Sequence, residues 1–136
     1  MAIAWRKQMS IGIKSIDEDH QNLLNLINSF EEVARRRTIT DGEQESLMRT
    51  MLARLQSYAH DHFSREERLQ MDAGYAGLEE NQRDHIRLSN DLAVMVERFQ
   101  STTGDPLTKE ELLEFLNRLL INHIIKVDLK MRGQKF

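Results

Sequence analysis

The 136-residue sequence contains no cysteine, which excludes disulfides, thiolate nucleophiles and zinc ribbons and fits a reducing compartment. Proline occurs once, at Pro106, and glycine six times, so the chain has few turn signals and long helices are expected. No apolar run approaches the ~20 residues of a membrane span. The opening Met1-Ala2-Ile3-Ala4-Trp5-Arg6-Lys7 lacks the long apolar stretch of a signal peptide, so a cytoplasmic location without membrane contact is expected. The net charge of −3 and a pI of about 6.0 leave no broad basic surface, and no nucleic-acid partner is expected. The one basic run, Arg35-Arg36-Arg37, falls late in a predicted helix, where cations favour the helix dipole. There is no nucleophile–base arrangement, no glycine-rich phosphate loop and no H-E-x-x-H motif, which argues against a hydrolase or a nucleotide-binding protein.

What is present is an ordinary globular balance, 40% apolar and 30% charged residues, enough for a single domain over 1–136 with one core. Residues 1–15 form an irregular arm carrying Trp5, Ile11 and Ile13. Ser15 and Glu18 make a capping box that predicts a helix over about 16–37, with Ile16, Leu23, Leu24, Ile27, Phe30 and Ala34 on its apolar stripe. Thr40 and Glu43 make a second box, predicting a helix over 41–72 that carries Leu47, Met51, Leu55, Tyr58 and Leu69. After the turn at 73–77, a third helix over 78–100 carries Leu78, Leu88, Leu92, Met95 and Phe99. The loop 101–106 follows. Pro106 suits a first helical position, and Thr108 with Glu111 offers a third box for a helix over 107–130 bearing Leu112, Leu116, Leu119, Leu120 and Val127. The fold class is therefore all-α: an antiparallel up-down-up-down four-helix bundle with an N-terminal arm.

Polar residues interrupt each stripe. His20 lies between Ile16 and Leu23; His62 and Glu66 continue the face of Leu55 and Tyr58. Asn81 and His85 lie between Leu78 and Leu88, and His123 lies between Leu119 and Val127 with Asp128 close by. A lone histidine on an apolar face is more often a core residue with a satisfied hydrogen bond than a ligand. An inward carboxylate is rarer, because burying it unpaired costs several kcal/mol. The joint pattern favours ligands: of five histidines, four face inward, one per helix. The fifth, His60, stands two residues from His62, rotated by about 200°, and belongs on the surface. Imidazoles and carboxylates on facing helices suit a pair of divalent ions, whose charge Glu66 and Asp128 would offset as bridges. His62 and Glu66 share a face at a spacing of four, as do Asn81 and His85. His123 and Asp128 are five apart, about 140° of rotation, and a local π-type widening would bring them together.

Three segments resemble one known family. Gly12-Ile13-Lys14-Ser15-Ile16-Asp17-Glu18-Asp19-His20, with Trp5 before it, resembles the N-terminal signature of the bacterial hemerythrins. His62-Phe63-Ser64-Arg65-Glu66-Glu67 resembles their H-F-x-x-E-E signature, and His123-Ile124-Ile125-Lys126-Val127-Asp128 resembles their final H-I-x-x-x-D. The resemblance runs from Trp5 to about Met131.

It implies a non-haem di-iron centre, two iron ions with a bridging oxo or hydroxo group, that binds dioxygen reversibly for storage, delivery or sensing. One iron would be held by His20 and His62 and keep an open position. The other would be held by His85 and His123, with Glu66 and Asp128 bridging. Where the family has a further histidine this chain has Asn81, a weak or lost ligand. The family's proline after Tyr75 is Ala76, and its tryptophan before the last histidine is Leu119. Leu23, Phe63, Leu119, Leu120 and Ile124 would line the oxygen pocket. Two other readings stand beside this one. A di-iron redox enzyme with oxidase, peroxidase or nitric-oxide chemistry would use a position opened by Asn81; a degenerate metal-binding or interaction module would have lost the chemistry.

Overall fold

The computed structural model describes residues 3–101, 106–123 and 128–131, without the side chains of 100, 101, 106–108, 128 and 129. Four helices carry the fold: α1 (Lys14–Arg35), α2 (Asp41–Ala73), α3 (Leu78–Ser101) and α4 (Pro106–Ile121). Short 3-10 turns occupy Lys7–Met9 and Asp128–Met131, and there is no strand among the described residues. α1 packs on α2 and α4, and α3 packs on α2 and α4, closing a four-helix bundle.

Named pairs show that neighbouring helices run antiparallel. The end of α1 meets the start of α2, where Gln44 Nε2 donates to the Val33 carbonyl at 2.9 Å, and the start of α1 meets the far half of α2 through Asp19 and Arg65. The end of α2 meets the start of α3 at Glu66 and Asn81. Arg98 late in α3 pairs with Glu111 early in α4, and Arg35 late in α1 pairs with Glu110. The core is a long apolar column including Leu23, Ile27, Phe30, Met48, Leu52, Leu92, Leu112 and Leu116. A separate small cluster of Ile11, Ile16 and Met131 closes the other end. The inward polar residues lie between the two.

Helix ends follow local chemistry. Thr40 Oγ1 accepts from the Glu43 amide at 3.1 Å, the cap expected for α2. α2 ends where Gly74 takes a left-handed φ of 65°, a conformation that costs glycine nothing. The Ser15–Glu18 box does not form. α1 starts earlier, at Lys14, with Ile13 before it and no side-chain cap. Ser15 is thus already inside the first turn, and Asp17 serves the arm instead, accepting from Ser10 Oγ at 2.5 Å and the Ile11 amide at 2.9 Å. α1 also stops at Arg35 rather than 37. There Gln44 Nε2 gathers the carbonyls of Val33, Ala34 and Arg36, while Lys109 Nζ donates to Gln44 Oε1 at 2.8 Å. Leu47, expected on the stripe, is 42% exposed; Met48 takes the core position. The α-helical part of α4 ends at Ile121, short of the expected 130, and Asn122 and His123 lie in a π-type turn. α4 begins at Pro106 as expected, while the Thr108 box lies outside the described side chains. Among the described residues, no helix is long and apolar enough to cross a membrane.

Gln44 therefore ties three elements with one buried amide. Replacing it by leucine should cost about 1–3 kcal/mol, since it strands carbonyls at the end of α1. Urea unfolding measures this directly. A variant as stable as the parent would mean that water replaces the amide without loss.

Candidate metal centre

The site grows from one carboxylate. Glu66 lies on the inward face of α2, one turn beyond His62, and is 0% exposed. Its two oxygens face different neighbours. Oε2 lies 3.3 Å from His62 Nε2, 3.9 Å from His123 Nε2 and 4.0 Å from His20 Nε2. Oε1 lies 3.3 Å from His85 Nε2 and accepts a hydrogen bond from Asn81 Nδ2 at 2.7 Å. His20, His62, Glu66 and His123 each offer a ligand atom within 4.8 Å of the others.

His62 Nε2 and His123 Nε2 approach to 3.0 Å. That is also the separation of adjacent donors around one ion, ~3.0 Å for bonds of about 2.1 Å in right-angled geometry. Two lone-pair atoms are left over on the opposite side. Among the described residues, His85 Nε2 and Asn81 Oδ1 are buried without a hydrogen-bond partner. Imidazole nitrogens, an amide oxygen and a buried carboxylate form a donor set that suits a divalent transition metal, and the residues present fit such an ion.

The structure brings together His20, His62, Glu66, Asn81, His85 and His123. His123 lies between the others, its ring centroid 5.2 Å from both His62 and His85 and 5.8 Å from His20. The π-type turn at Asn122–His123 widens the helix there, altering the rotation that straight α-geometry would give. Asp128 begins the 3-10 turn after α4, and its side chain lies outside the described set, as does all of Ile124. Leu23, Phe63, Leu119 and Leu120 are buried in the adjoining core. Phe63, expected beside the open position near His20 and His62, lies 5.7 Å from the His62 ring and also stacks on His85 at 4.2 Å between ring centroids with planes 14° apart. It also sits 5.1 Å from the His123 ring, so it touches both halves of the cluster. His60 is exposed, as expected.

Sequence reasoning missed a set of carboxylates that stand behind the histidines. Asp19 on α1 faces His62 Nδ1 on α2 at 3.0 Å. Glu67 on α2 faces His85 Nδ1 on α3 at 2.6 Å. Asp84 on α3 faces His123 Nδ1 beyond α4 at 3.9 Å, an electrostatic contact rather than a hydrogen bond. α1, α2 and α3 thus each place a carboxylate behind the candidate histidine that comes next along the chain. A carboxylate behind an imidazole fixes its tautomer, directs the other nitrogen inward and raises its basicity toward a metal. The one trace in the sequence is that each of the three is the immediate neighbour of a candidate ligand (Asp19 of His20, Glu67 of Glu66, Asp84 of His85), which does not say which histidine it meets.

Asp19 is the most heavily used of them. Besides His62 it accepts from Tyr58 OH at 2.7 Å, Arg65 Nε at 3.0 Å and Arg65 Nη2 at 2.8 Å. Burial alone would push its carboxyl upward. The hydrogen bonds from His62, Arg65 and Tyr58 outweigh that and hold it well below the usual carboxylate range. The same hydrogen bond, foremost, raises the Arg65 guanidinium. Tyr58 is raised, first by burial. His123, ahead of Arg87, holds Asp84 below its ordinary value against the effect of burial.

Known proteins match this chain along nearly its whole length. The family model described as the hemerythrin HHE cation binding domain matches residues 11–132. The bacteriohemerythrin of Pseudomonas paraeruginosa is 27% identical over 122 residues, covering 90% of this chain and 74% of its own. That of Stenotrophomonas maltophilia is 29% identical over 122 residues, with the same 90% and 74% coverage. That of Clostridium acetobutylicum is 26% identical over 127 residues, covering 91% of this chain and 94% of its own. The matched span takes in every candidate ligand of the sequence from His20 to Asp128, and with a buried cation-type donor set inside a four-helix bundle, the chain belongs to the hemerythrin family.

Proposed function

We propose that this chain is a non-haem di-iron protein that binds dioxygen, for storage, delivery or sensing. The observation that supports this best is the fully buried Glu66 carboxylate, with imidazoles on both sides, in a hemerythrin-family chain. His20 and His62 would hold one ion and His85 and His123 the other, with Asn81 a weak or lost ligand; Glu66 and Asp128 would stand between them, and an oxo or hydroxo group would join the ions. Iron, when bound, supplies the redox electrons and the affinity for dioxygen. The protein supplies the rest. Asp19 and Glu67 orient imidazoles, and Leu23, Phe63, Leu119 and Leu120 keep water away from the ligand position, which slows loss of the ligand in reduced form. A cysteine-free chain of this kind suits a cytoplasmic setting.

Iron content and absorption spectra test this on protein reconstituted without air. The expected result is two irons per chain and a ligand-to-metal band that appears in oxygen and reverses on its removal. One iron or fewer would overturn the di-iron reading. A second reading, a di-iron redox enzyme, draws on the buried Asn81 Oδ1 that has no hydrogen-bond partner among the described residues. It predicts a band that decays irreversibly, and an Asn81→His variant that oxidises much more slowly.

A further inference from the structure

We propose that the end of the bundle where α1 stops and α2 and α4 start carries a second site, for a small molecule bearing phosphate, held between Lys109 and Arg37.

Three helix ends meet there around a cavity of about 540 Å3, the size of a small-molecule site. Its walls carry four cations, Arg35, Arg36 and Arg37 from the end of α1 and Lys109 from the start of α4, against two carboxylates, Asp41 and Glu110. The arginine run alone would carry nothing. Cations at the end of a helix offset its dipole, and two of the three are already paired: Arg35 with Glu31 and Glu110, Arg36 with Glu32. Arg37 is different. It is exposed and makes no hydrogen bond or ion pair among the described residues, so its guanidinium fork is free to take two oxygens of a phosphate.

Lys109 is the more telling of the two. It stands in the first turn of α4, where the helix dipole disfavours a cation, and that turn holds no acidic residue to offset it. The side chain is half-buried, and its partner is neutral: Nζ donates to Gln44 Oε1 at 2.8 Å. That amide is fixed in turn, because Nε2 of Gln44 holds the carbonyls of Val33, Ala34 and Arg36. Gln44 therefore holds the ammonium at the cavity without neutralising it, and two N–H groups remain for a ligand. An ammonium partly withdrawn from water, set against a dipole and paired with no carboxylate, is a cost that a bound anion offsets. Asp41 contributes a carboxylate, but it also opens α2, whose N-terminus favours an anion.

Two uncompensated cations in one polar cavity match a doubly charged phosphate better than a single carboxylate. The concave shape, and the net charge of −3 on the whole chain, point to a small molecule rather than a nucleic acid.

The test is calorimetric titration of the isolated protein with inorganic pyrophosphate at low ionic strength, with bound metal counted before and after. Saturable binding at one per chain is expected, without loss of metal. Arg37→Gln and Lys109→Gln should each weaken it by ~10-fold or more, the loss of a hydrogen bond to a charged group. Arg54→Gln, which removes an exposed cation further along α2, should change it by less than ~2-fold, since separated surface charges are screened. Arg37 has no partner to lose, so its variant remains a clean test even if circular dichroism shows Lys109→Gln misfolded. No saturable binding at a Kd below about 1 mM would overturn the proposal. So would undiminished binding by Arg37→Gln, or an Arg54→Gln variant weakened as much, which would mean diffuse attraction. Heat that follows metal loss would put the pyrophosphate on the metal instead, and tighter binding of a thymidine oligonucleotide would make the surface a nucleic-acid contact; either result sinks the small-molecule site.

Discussion

Loading the centre with metal should raise the thermal midpoint of this bundle by roughly 10–20 °C over the metal-free protein. A ligand that binds only the folded state stabilises it by about 4 kcal/mol at a free concentration 1,000 times its Kd, and each kcal/mol moves the midpoint of a chain of this size by about 3–5 °C. The structural reason is the burial of the donors. Glu66, His20 and His62 are 0% exposed, and His85 and His123 nearly so. Without an ion, a carboxylate and several lone pairs are held away from water between two apolar clusters, an arrangement that opposes folding. A divalent ion offsets that cost in the native state alone.

Glu66→Gln separates the two contributions. The amide keeps the shape and removes the buried charge, so the metal-free variant should melt no lower than the metal-free parent. Its increment on adding metal should be largely gone. Differential scanning calorimetry of both proteins, with chelator and with excess Co2+, gives the four midpoints. Equal midpoints for loaded and metal-free parent would sink the argument, since the centre would then contribute nothing to holding the helices together.

The inward donors were legible in the sequence because helical periodicity says which residues share a face, and His20, His62, Glu66, Asn81, His85 and His123 all fall on apolar stripes. The carboxylates behind them were not. A residue next to a ligand is rotated by about 100° around its helix, out of the core and toward the adjacent helix. Whether Asp19 meets His62 then depends on the packing of α1 on α2, which no single-helix pattern encodes. Asn81 shows the same limit. Its place on the stripe was evident, but that it would donate to Glu66 instead of presenting its oxygen depends on atoms from two helices. Helix ends divide in the same way. Thr40 caps α2 by purely local chemistry, as the sequence indicates. The start of α1 is governed by Asp17 gripping the arm, a contact that competes with the local Ser15 box and prevails.

Asp19→Asn should cost about 2 kcal/mol at neutral pH and weaken metal binding by roughly 10–100-fold. The variant keeps an acceptor for Tyr58 but loses the charge that His62 and Arg65 share. Arg65 is 46% exposed, so water screens part of that pair and the loss should fall below that of a fully buried one. The pH dependence identifies the residue responsible. Asp19 is held below its unfolded value, ~3.9, so its stabilisation is complete above that pH and is lost as the pH falls toward the folded value. The stability difference between parent and variant should therefore stay constant from pH 7 to about pH 5 and narrow below about pH 4. Urea unfolding of both metal-free proteins, with chelator present throughout, measures it without interference from metal release. A difference that persisted undiminished to pH 3, or a variant as stable as the parent at pH 7, would mean that Asp19 does not hold His62 through its charge. The orientation of that imidazole would then come from packing alone.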